Sequence, residues 1–251
     1  MLGIERRQKI TERIQRDRKV YVSTLSELFG VTEETVRRDL EKLENEGILS
    51  RTYGGAISNQ HTNEDLSFPA RTSLNFEAKQ LIAAKAAALI NDRDTIMVDA
   101  STTCLELMHA LKEKKGLTVI TNSVKITHDF MDANFNIIST GGSLRSHSCA
   151  LVGPVAVNTL ANYYVDVAVI SCKGLSLAKG IMESNEPESE FKKRLIQQAG
   201  KTILLADHTK FNKTAFVKLM DFAALDYIVT DQAPAGEWLE LFNKYNIKVL
   251  Y

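Results

Sequence analysis

The sequence has few cysteines and no long apolar run. These two features argue against a disulfide-stabilised, a zinc-binding and a membrane-spanning protein. The cysteines are three, widely spaced and without a CxxC pair: Cys104, Cys149 and Cys172. This pattern supports neither a disulfide framework nor a zinc ribbon. No apolar run approaches the ~20 residues of a membrane span, and the charged residues 1–19 do not form a signal peptide. We therefore expect a protein of the reducing cytoplasm with no membrane partner.

The sequence also lacks an excess of charge of either sign. Lys and Arg total 31, Asp and Glu total 31, and the formal net charge is zero. This balance excludes a uniformly basic coat protein, although a local basic patch remains compatible with it. The five histidines show no metal-ligand spacing, so no metal and no cofactor are predicted. With 44% hydrophobic and 25% charged residues, 251 residues are enough for one large domain or two ordinary ones.

The composition and periodicity of the sequence change twice along the chain, and these changes predict two domains joined by a linker. Residues 1–57 form one candidate unit, which ends at a Gly-Gly turn. Residues 58–74 are polar and without periodicity, so they are predicted to be a linker. In residues 75–251, short β-branched runs alternate with helical stretches and favour an α/β domain with a mostly parallel sheet. The predicted strands are 95–100, 117–121, 135–140, 165–171, 201–207 and 226–231.

A helix-turn-helix is predicted within the first unit. Gly30 breaks one short helix, and Thr32 is a suitable N-cap for the next. Apolar residues of this second helix recur at i, i+4 and i+7 and share one face: Val36, Leu40 and Leu43. Arg38 then points away from that face, while Thr35 and Arg37 flank it. This arrangement is typical of a recognition helix that enters a major groove of DNA.

The residues after this helix are predicted to form a wing. ILSRTYGGA (48–56) contains two short strands around a tight turn. Its polar side chains suit phosphate contacts, and its glycines allow close approach of the backbone. The alternative is an amphipathic surface helix, because Glu41, Glu44 and Glu46 would repel DNA. The predicted DNA contacts are Thr32, Thr35, Arg37, Arg38, Arg51, Tyr53 and Gly54.

Three loops that follow predicted strands carry polar or glycine residues. Asp99-Ala100-Ser101-Thr102-Thr103 precedes a helix, whose N-terminus favours an anion such as phosphate. The alternative is ordinary N-capping, which needs only one hydroxyl. Asn122 and Ser123 follow the next strand, and Gly141, Gly142 and Arg145 follow the third. Because ligands bind at the carboxyl ends of strands in open α/β sheets, the three loops together favour a small anionic ligand.

Two lysines near later strand ends are candidate cations for that anion. Lys173 follows the strand at 165–171, and Lys210 follows the strand at 201–207. The alternative for each is a solvated surface lysine. The predicted ligand-binding residues are Asp99, Ser101, Thr102, Thr103, Asn122, Ser123, Gly141, Gly142, Arg145, Lys173 and Lys210.

The first unit resembles a known family in two motifs. TVRRDL, followed at the right distance by RTYGGA, is similar to the winged helix-turn-helix of the DeoR family of bacterial transcription regulators. The resemblance covers nearly all of residues 5–56. The family usually has Ser at position 32, where Thr32 offers the same cap. The resemblance implies binding to a symmetric double-stranded operator as a homodimer or homotetramer, in most cases as a repressor.

The second unit resembles the sensor domain of the same family. The matching stretches include VDASTT, TVITNS, STGG, SCKG and LLADHTKF, and they span about residues 79–231. The resemblance implies an α/β phosphosugar-binding domain similar in fold to ribose-5-phosphate isomerases. The family usually has Gly where this sequence has Ala100, which affects the tightness of the first loop. Within the family, the chain looks closest to regulators of fucose or rhamnose operons, on the motifs DASTTC, STGG, SCKG and SNE. This resemblance implies a deoxyketose 1-phosphate as the effector.

The isomerase resemblance leaves an enzyme as the alternative function. Asp99, Glu183 and Lys173 are a candidate acid/base set for proton abstraction beside a carbonyl. A similar fold does not imply the same catalytic activity, however. The predicted DNA-binding unit also gives ligand binding a regulatory use that needs no turnover. Cys172 is expected to be a small buried residue rather than a nucleophile. We therefore predict a regulator with no catalytic residues. A nonspecific nucleoid protein is a third class, whose affinity for DNA would fall steeply with salt.

Overall fold

A computed structural model describes residues 2–45, 47–58 and 65–251 of the chain. The chain divides into two units, residues 1–74 and residues 75–251, and the boundary falls between Leu74 and Asn75.

Helices and a small sheet make up the first unit. Its elements in chain order are α1 (Gly3–Asp17), β1 (Lys19–Tyr21), α2 (Val22–Phe29), α3 (Glu33–Asn45), β2 (Leu49–Thr52), β3 (Gly55–Ser58) and α4 (Phe68–Ser73). The three strands form an antiparallel sheet in the order β1-β3-β2. Helices α2 and α3 are the predicted helix-turn-helix, and β2 and β3 are the predicted wing. Gly30 ends α2 in the left-handed conformation (φ +62°), which glycine adopts without strain.

The core of the first unit lies between its helices and its small sheet. The apolar face predicted for α3 is confirmed, because Val36, Leu40 and Leu43 are all buried. Other buried residues of this core are Ile10, Ile14, Val20, Leu25, Leu49 and Ala56. Thr32 caps α3 as expected, with its Oγ1 accepting a hydrogen bond from the backbone N–H of Thr35 at 3.3 Å. Helix α2 begins at Val22, with Tyr21 at its N-cap position and no side-chain cap.

Part of the predicted linker belongs to the folded first unit. Residues 59–64 lie outside the described residues. Residues 68–73 form α4, and Leu66 and Ala70 are buried in the same core as α1 and α3. Ser67 caps this helix, with its Oγ accepting a hydrogen bond from the N–H of Ala70 at 3.4 Å. The three buried side chains of this stretch, Leu66, Phe68 and Ala70, do not follow a helical period, and for this reason the sequence pattern indicated a linker.

The second unit alternates strands and helices. Its helices are α5 (Phe76–Ala87), α6 (Thr102–Ala110), α7 (Val124–Asp129), α8 (Pro154–Leu160), α9 (Glu186–Gln197) and α10 (Gly236–Lys244). Its strands are β4 (Thr95–Val98), β5 (Thr118–Thr121), β6 (Asn136–Ser139), β7 (Ser143–Arg145), β8 (Ala150–Val152), β9 (Val165–Ser171), β10 (Gly174–Ser176), β11 (Gly180–Glu183), β12 (Ala199–Leu205), β13 (Val217–Met220), β14 (Tyr227–Val229) and β15 (Lys248–Leu250). Within the described part of the chain, no helix has both the length and the apolar character of a membrane span.

The central sheet has seven parallel strands in the order β15-β14-β12-β9-β4-β5-β6. All six predicted strands are present, and β15 is a seventh that the sequence pattern did not reveal. The first strand of the sheet in the chain, β4, lies beside the fourth, β9, so the strand order reverses between them. In open parallel sheets, the crevice at such a reversal is where ligands bind.

A β-hairpin covers the carboxyl end of β5. Strands β7 and β8 pair with each other in antiparallel fashion. The backbone N–H of Leu151 donates to the carbonyl of Asn122 at 2.8 Å, and that of Val124 donates to the carbonyl of Cys149 at 2.9 Å. These bonds fix the hairpin to the loop that follows β5. A second antiparallel sheet, β10-β11-β13, continues the chain after β9.

The turn from β6 into this hairpin depends on Gly142. Its φ is +116°, and an added Cβ would lie 2.7 Å from the carbonyl oxygen of Val152 and 3.0 Å from the Cβ of Ala156. Both partners are backbone or fixed methyl groups, so they cannot move aside as the end of a flexible side chain does.

We predict that Gly142→Ala destabilises the second unit by about 1–3 kcal/mol, because it combines backbone strain with a steric clash. Differential scanning calorimetry should show a Tm lower by ~2–4 °C per kcal/mol in a unit of this size. Gly236→Ala is the control, since no atom lies within 4 Å of the added Cβ and its φ is not positive. An unchanged Tm for Gly142→Ala would contradict this account of the turn.

Candidate functional site

The recognition helix α3 presents two arginines to solvent. Arg37 Nη2 lies 2.5 Å from Glu33 Oε2, and Arg38 Nε lies 3.2 Å from Glu34 Oε1. Both pairs join residues four apart on the helix, and all four side chains are about half exposed or more. Exposed ion pairs of this kind contribute little stability, so DNA phosphates or base edges can replace the glutamates at low cost.

A buried ion pair fixes the other side of the same helix. Asp39, next to Arg38 in sequence, is 4% exposed and faces α1. Its Oδ2 lies 2.5 Å from Arg6 Nε and its Oδ1 lies 3.5 Å from Arg7 Nη1. Sequence analysis did not single out this pair. A signal was present, because Asp39 lies three residues after Val36, on the apolar face, where a charge requires a partner.

The wing carries two of the side chains predicted to contact DNA, Arg51 and Tyr53, and they differ in their surroundings. The backbone N–H and the guanidinium Nε of Arg51 both donate to the carboxylate of Glu44, at 2.8 and 2.6 Å. These bonds lower the pKa of Glu44, so its carboxylate stays ionised beside the wing. Tyr53 is fully exposed at the tip, and Gly54 beside it has φ +83°. A phosphate contact by Arg51 therefore requires that it release Glu44, whereas a phosphate contact by Tyr53 requires no such release.

The loop after β4 supplies hydrogen-bond donors at the N-terminus of α6. Ser101 alone caps the helix, with its Oγ accepting from the N–H of Cys104 at 3.2 Å. Thr102 and Thr103 are buried in the first turn. Among the described residues, neither the N–H nor the hydroxyl of Thr103 has a hydrogen-bond partner. Ordinary capping thus accounts for one hydroxyl of the three, and Thr103 keeps donors suited to an anion.

Asp99 forms this loop and has little capacity left for a ligand. Its Oδ1 accepts a hydrogen bond from the N–H of Ser101 at 2.9 Å, and its Oδ2 accepts one from the N–H of Ser171 at 3.0 Å. Lys192 Nζ lies 3.1 Å from the same Oδ2. Burial raises the pKa of Asp99, but Lys192 and these hydrogen bonds more than offset it, so the pKa is lowered. We predicted ligand contact for Asp99, whereas the structure uses its carboxylate to hold the loops after β4 and β9.

Lys192, on α9, is the centre of a buried ion cluster that sequence analysis missed. Its Nζ lies 2.5 Å from Glu183 Oε2 and donates to the carbonyl of Ser171 at 2.8 Å, in addition to its contact with Asp99. Burial lowers the pKa of Lys192, but the two carboxylates raise it more, and the net shift is upward. The acid/base set proposed from sequence contained Lys173, but the structure places Lys192 between Asp99 and Glu183. A lysine held in this charged form cannot serve as a base.

The loop after β5 contains a buried polar atom without a partner. The side chain of Asn122 is buried, and its Nδ2 donates to the carbonyl of Leu151 at 3.0 Å. Its Oδ1 has no hydrogen-bond partner within the described residues. An unpaired buried acceptor costs roughly 1–3 kcal/mol, so the atom indicates a site for a donor such as a sugar hydroxyl. Ser123 is used as the cap of α7, accepting from the N–H of Ile126 at 3.1 Å.

The third loop positions Arg145. Gly141 (φ +68°) and Gly142 turn the chain from β6 into β7, which ends at Arg145. Arg145 Nη1 lies 3.2 Å from Glu188 Oε1, in the first turn of α9. The hairpin therefore contacts the same helix that carries Lys192. The guanidinium is about a quarter exposed, so it remains accessible to an anion.

The two candidate lysines lie on neighbouring strand ends. Lys173 follows β9, and its backbone N–H donates to the carbonyl of Met182 at 3.0 Å. Lys210 follows β12, and its Nζ lies 3.8 Å from Oδ2 of the buried Asp207. Burial and the charge of Glu183 raise the pKa of Cys172 to about 12, with Lys210 among the groups that act in the opposite sense. Cys172 is buried, as expected, and its side chain stays a thiol at neutral pH.

Two domain models and many full-length relatives match this chain. The model of the DeoR C-terminal sensor domain matches residues 74–232, and that of the DeoR-like helix-turn-helix domain matches residues 6–62. An uncharacterized HTH-type transcriptional regulator of Bacillus subtilis, YulB, is 40% identical over 92% of this chain and 90% of its own. The putative aga operon transcriptional repressor of Escherichia coli O157:H7 is 30% identical over 98% and 93%. The L-fucose operon activator of Haemophilus influenzae is 32% identical over 89% and 90%.

Solved structures that match the chain include sugar-phosphate isomerases. Ribose 5-phosphate isomerase A of Methanocaldococcus jannaschii matches 55% of each chain, with 16% identity and a TM-score of 0.41.

We predict that Lys192→Met destabilises the second unit by ~3–5 kcal/mol, because it leaves two carboxylates buried without their cation. Urea unfolding followed by circular dichroism measures the change. Lys193→Ala removes the exposed neighbouring lysine and should change stability by less than ~0.5 kcal/mol. Equal stabilities of the two variants would show that the ion cluster does not hold the loops.

Proposed function

Because the chain belongs to the DeoR family of transcriptional regulators, we propose that it represses a carbohydrate catabolism operon and that a phosphorylated sugar controls its binding to the operator. One observation carries the second part of this proposal. Within the part of the chain that the structure describes, the N-terminus of α6 at the reversal of the sheet has donors on Thr103 without a partner, and the next loop has the acceptor of Asn122 without one. Donors at a helix N-terminus suit a phosphate, and a buried acceptor suits a hydroxyl.

Operator binding follows from the winged helix-turn-helix. Thr35, Arg37 and Arg38 contact base edges or flanking phosphates in the major groove, while Arg51 and Tyr53 hold the wing on the backbone. A homodimer or homotetramer presents two such units to a symmetric operator, whose half-sites lie one helical turn or a multiple apart. This places the protein's action in the cytoplasm, where bacterial operator DNA lies.

The loops of the second unit bind the effector. Thr102 and Thr103 donate to its phosphate, and the cations near the strand ends balance the negative charge: Arg145, Lys173 and Lys210. Asn122 accepts a hydrogen bond from a sugar hydroxyl. We propose a ketose 1-phosphate of a deoxysugar as the effector, because one relative is named an L-fucose operon activator. Repression is the sense of control that we propose, since the aga operon relative is named a repressor.

Turnover of the bound sugar is not part of this function. Asp99 and Glu183 are both buried, and Lys192 holds a charge against both. Neither carboxylate is then poised to accept a proton from a substrate carbon. The alternative function, isomerisation of a sugar phosphate by the second unit, is therefore not supported by Lys192 and its two carboxylates.

A fluorescence anisotropy titration tests the proposed function. The duplex is the sequence that the full-length protein selects from a random pool, and the panel contains fuculose 1-phosphate, rhamnulose 1-phosphate, other sugar phosphates and inorganic phosphate. One sugar phosphate should weaken operator binding by roughly 5–150-fold, the range of ordinary allosteric coupling. If no member changes the affinity, phosphosugar control is wrong. If the C-terminal unit isomerises a panel member, the enzyme alternative is correct.

We predict that Arg38→Ala weakens operator binding by ~1–3 kcal/mol and relaxes sequence preference, because Arg38 lies opposite the buried face of α3. Binding is measured by anisotropy at fixed salt with the selected duplex and a scrambled one. Arg93→Ala is the control, since it removes an exposed arginine from the second unit and changes the net charge equally. An unchanged preference for the selected duplex would remove Arg38 from the recognition surface.

We predict that Thr102→Val with Thr103→Val abolishes measurable binding of the effector and leaves operator affinity unchanged. Valine retains the shape of both buried side chains and removes only their hydroxyls, so the fold should tolerate the change. Isothermal titration calorimetry with the active member of the panel measures the first effect, and anisotropy measures the second. Wild-type affinity for the effector in this variant would contradict the phosphate site at α6.

A further inference from the structure

The buried carboxylate of Asp207 is shared by groups from two distant parts of the chain. Lys210 Nζ, in the proposed effector site, lies 3.8 Å from its Oδ2. Oδ1 of Asp207 accepts a hydrogen bond from the side-chain Nδ2 of Asn75 at 3.2 Å. The same atom also accepts from the N–H and the hydroxyl of Thr209. Asn75 is the first residue of the second unit and directly follows Leu74, the last residue of the first. Asp207 therefore connects the effector loop with the point at which the chain passes between units.

The conformation of Asn75 indicates that its side chain serves this connection. Its φ is +50°, in the left-handed region, and it stands at the N-cap position of α5. An asparagine at this position usually accepts a hydrogen bond from the first turn of its helix. Here no such bond forms, and the amide instead donates to Asp207 and to Oγ1 of Thr209, the latter also at 3.2 Å. The side chain has exchanged a local cap for a bond to a loop more than 130 residues away.

A second group from the start of α5 also acts on Asp207. Lys79, one turn after Asn75, is buried, and its charge is among those felt by the carboxylate. Burial raises the pKa of Asp207, but Lys210, the hydrogen bonds from Thr209 and Lys79 together lower it. One cation therefore comes from the effector loop and the other from the helix that begins the second unit.

We propose that Asp207 transmits the state of the effector site to the DNA-binding unit through Asn75. This inference rests on the proposed function and names its regulation. An anionic group of the effector attracts Lys210 away from Asp207, and the carboxylate then interacts more strongly with its remaining partners, Asn75 and Thr209, and with the charge of Lys79. The backbone at the start of α5 shifts with them. Because an effector acts only through contacts that differ between two states, the Lys210–Asp207 contact is the differential contact here.

A double-mutant cycle in full-length protein tests this without any effector. Lys210→Met imitates the withdrawal of the lysine, and Asn75→Gly removes the amide while tolerating the left-handed backbone. Operator affinity is measured by anisotropy on the selected duplex. Lys210→Met should change the affinity roughly five-fold or more, and less than about two-fold when Asn75 is glycine. Asn75→Asp, which replaces the donor amide by a carboxylate facing Asp207, should suppress the change in the same way.

Asn246→Gly is the matched control for this cycle. Asn246 is also left-handed (φ +56°) and exposed, and its side chain has no hydrogen bond within the described part of the chain. In that background, Lys210→Met should keep its full effect. Additive effects of Lys210→Met and Asn75→Gly, or no effect of Lys210→Met alone, would overturn the transmission through Asp207.

The cycle also separates this inference from the proposed function. Additive variants in a protein whose operator binding still responds to a sugar phosphate would refute the transmission and leave the proposed function standing. Coupled variants in a protein that responds to no sugar phosphate would support the transmission and refute the effector class.

Discussion

A single buried ammonium group, that of Lys192, determines the shape of the proposed effector site. It binds the carboxylates of Asp99 and Glu183 and the carbonyl of Ser171, so it joins the ends of β4, β9 and β11 to α9. Buried charges are tolerated only when they are paired, and this requirement fixes the loops on either side of the strand reversal. With the carboxylates engaged, Thr103 still has donors and Asn122 still has an acceptor without a hydrogen-bond partner among the described residues. This use of both carboxylates supports the proposal that the site binds its ligand without turnover.

The DNA-binding unit separates structural from exchangeable charges in the same way. Arg6 and Asp39 form a buried pair that fixes α3 against α1, and removing Asp39 would leave the buried charge of Arg6 without its partner. Arg37 and Arg38 pair with exposed glutamates, which DNA replaces in the proposed complex. Alternation of these two kinds of charge along one helix gives a recognition surface that is rigid in position and adaptable in its contacts.

Local patterns predicted much of this architecture. The period of Val36, Leu40 and Leu43 predicted α3, and β-branched runs predicted six of the seven strands of the sheet. The pattern failed where structure depends on distant partners. Residues 68–73 became α4 because Leu66 and Ala70 are buried in a core formed by other segments. Lys192 resembled a solvated helix residue, since its two carboxylates lie on other elements. The donors of Thr103 were anticipated as part of a hydroxyl-rich loop, but the structural use of Asp99 was visible only from its neighbours.

The central claim is that binding of the effector and binding of the operator change each other's affinity. Measuring both changes in affinity tests this claim most directly. Thermodynamic linkage requires that the effector change operator affinity by the same factor as the operator changes effector affinity. Calorimetric titration of the active sugar phosphate into full-length protein, alone and saturated with the selected duplex, measures the second factor against the anisotropy value for the first. The account predicts equal factors of at least about five. An effector affinity that is identical with and without the operator would contradict it.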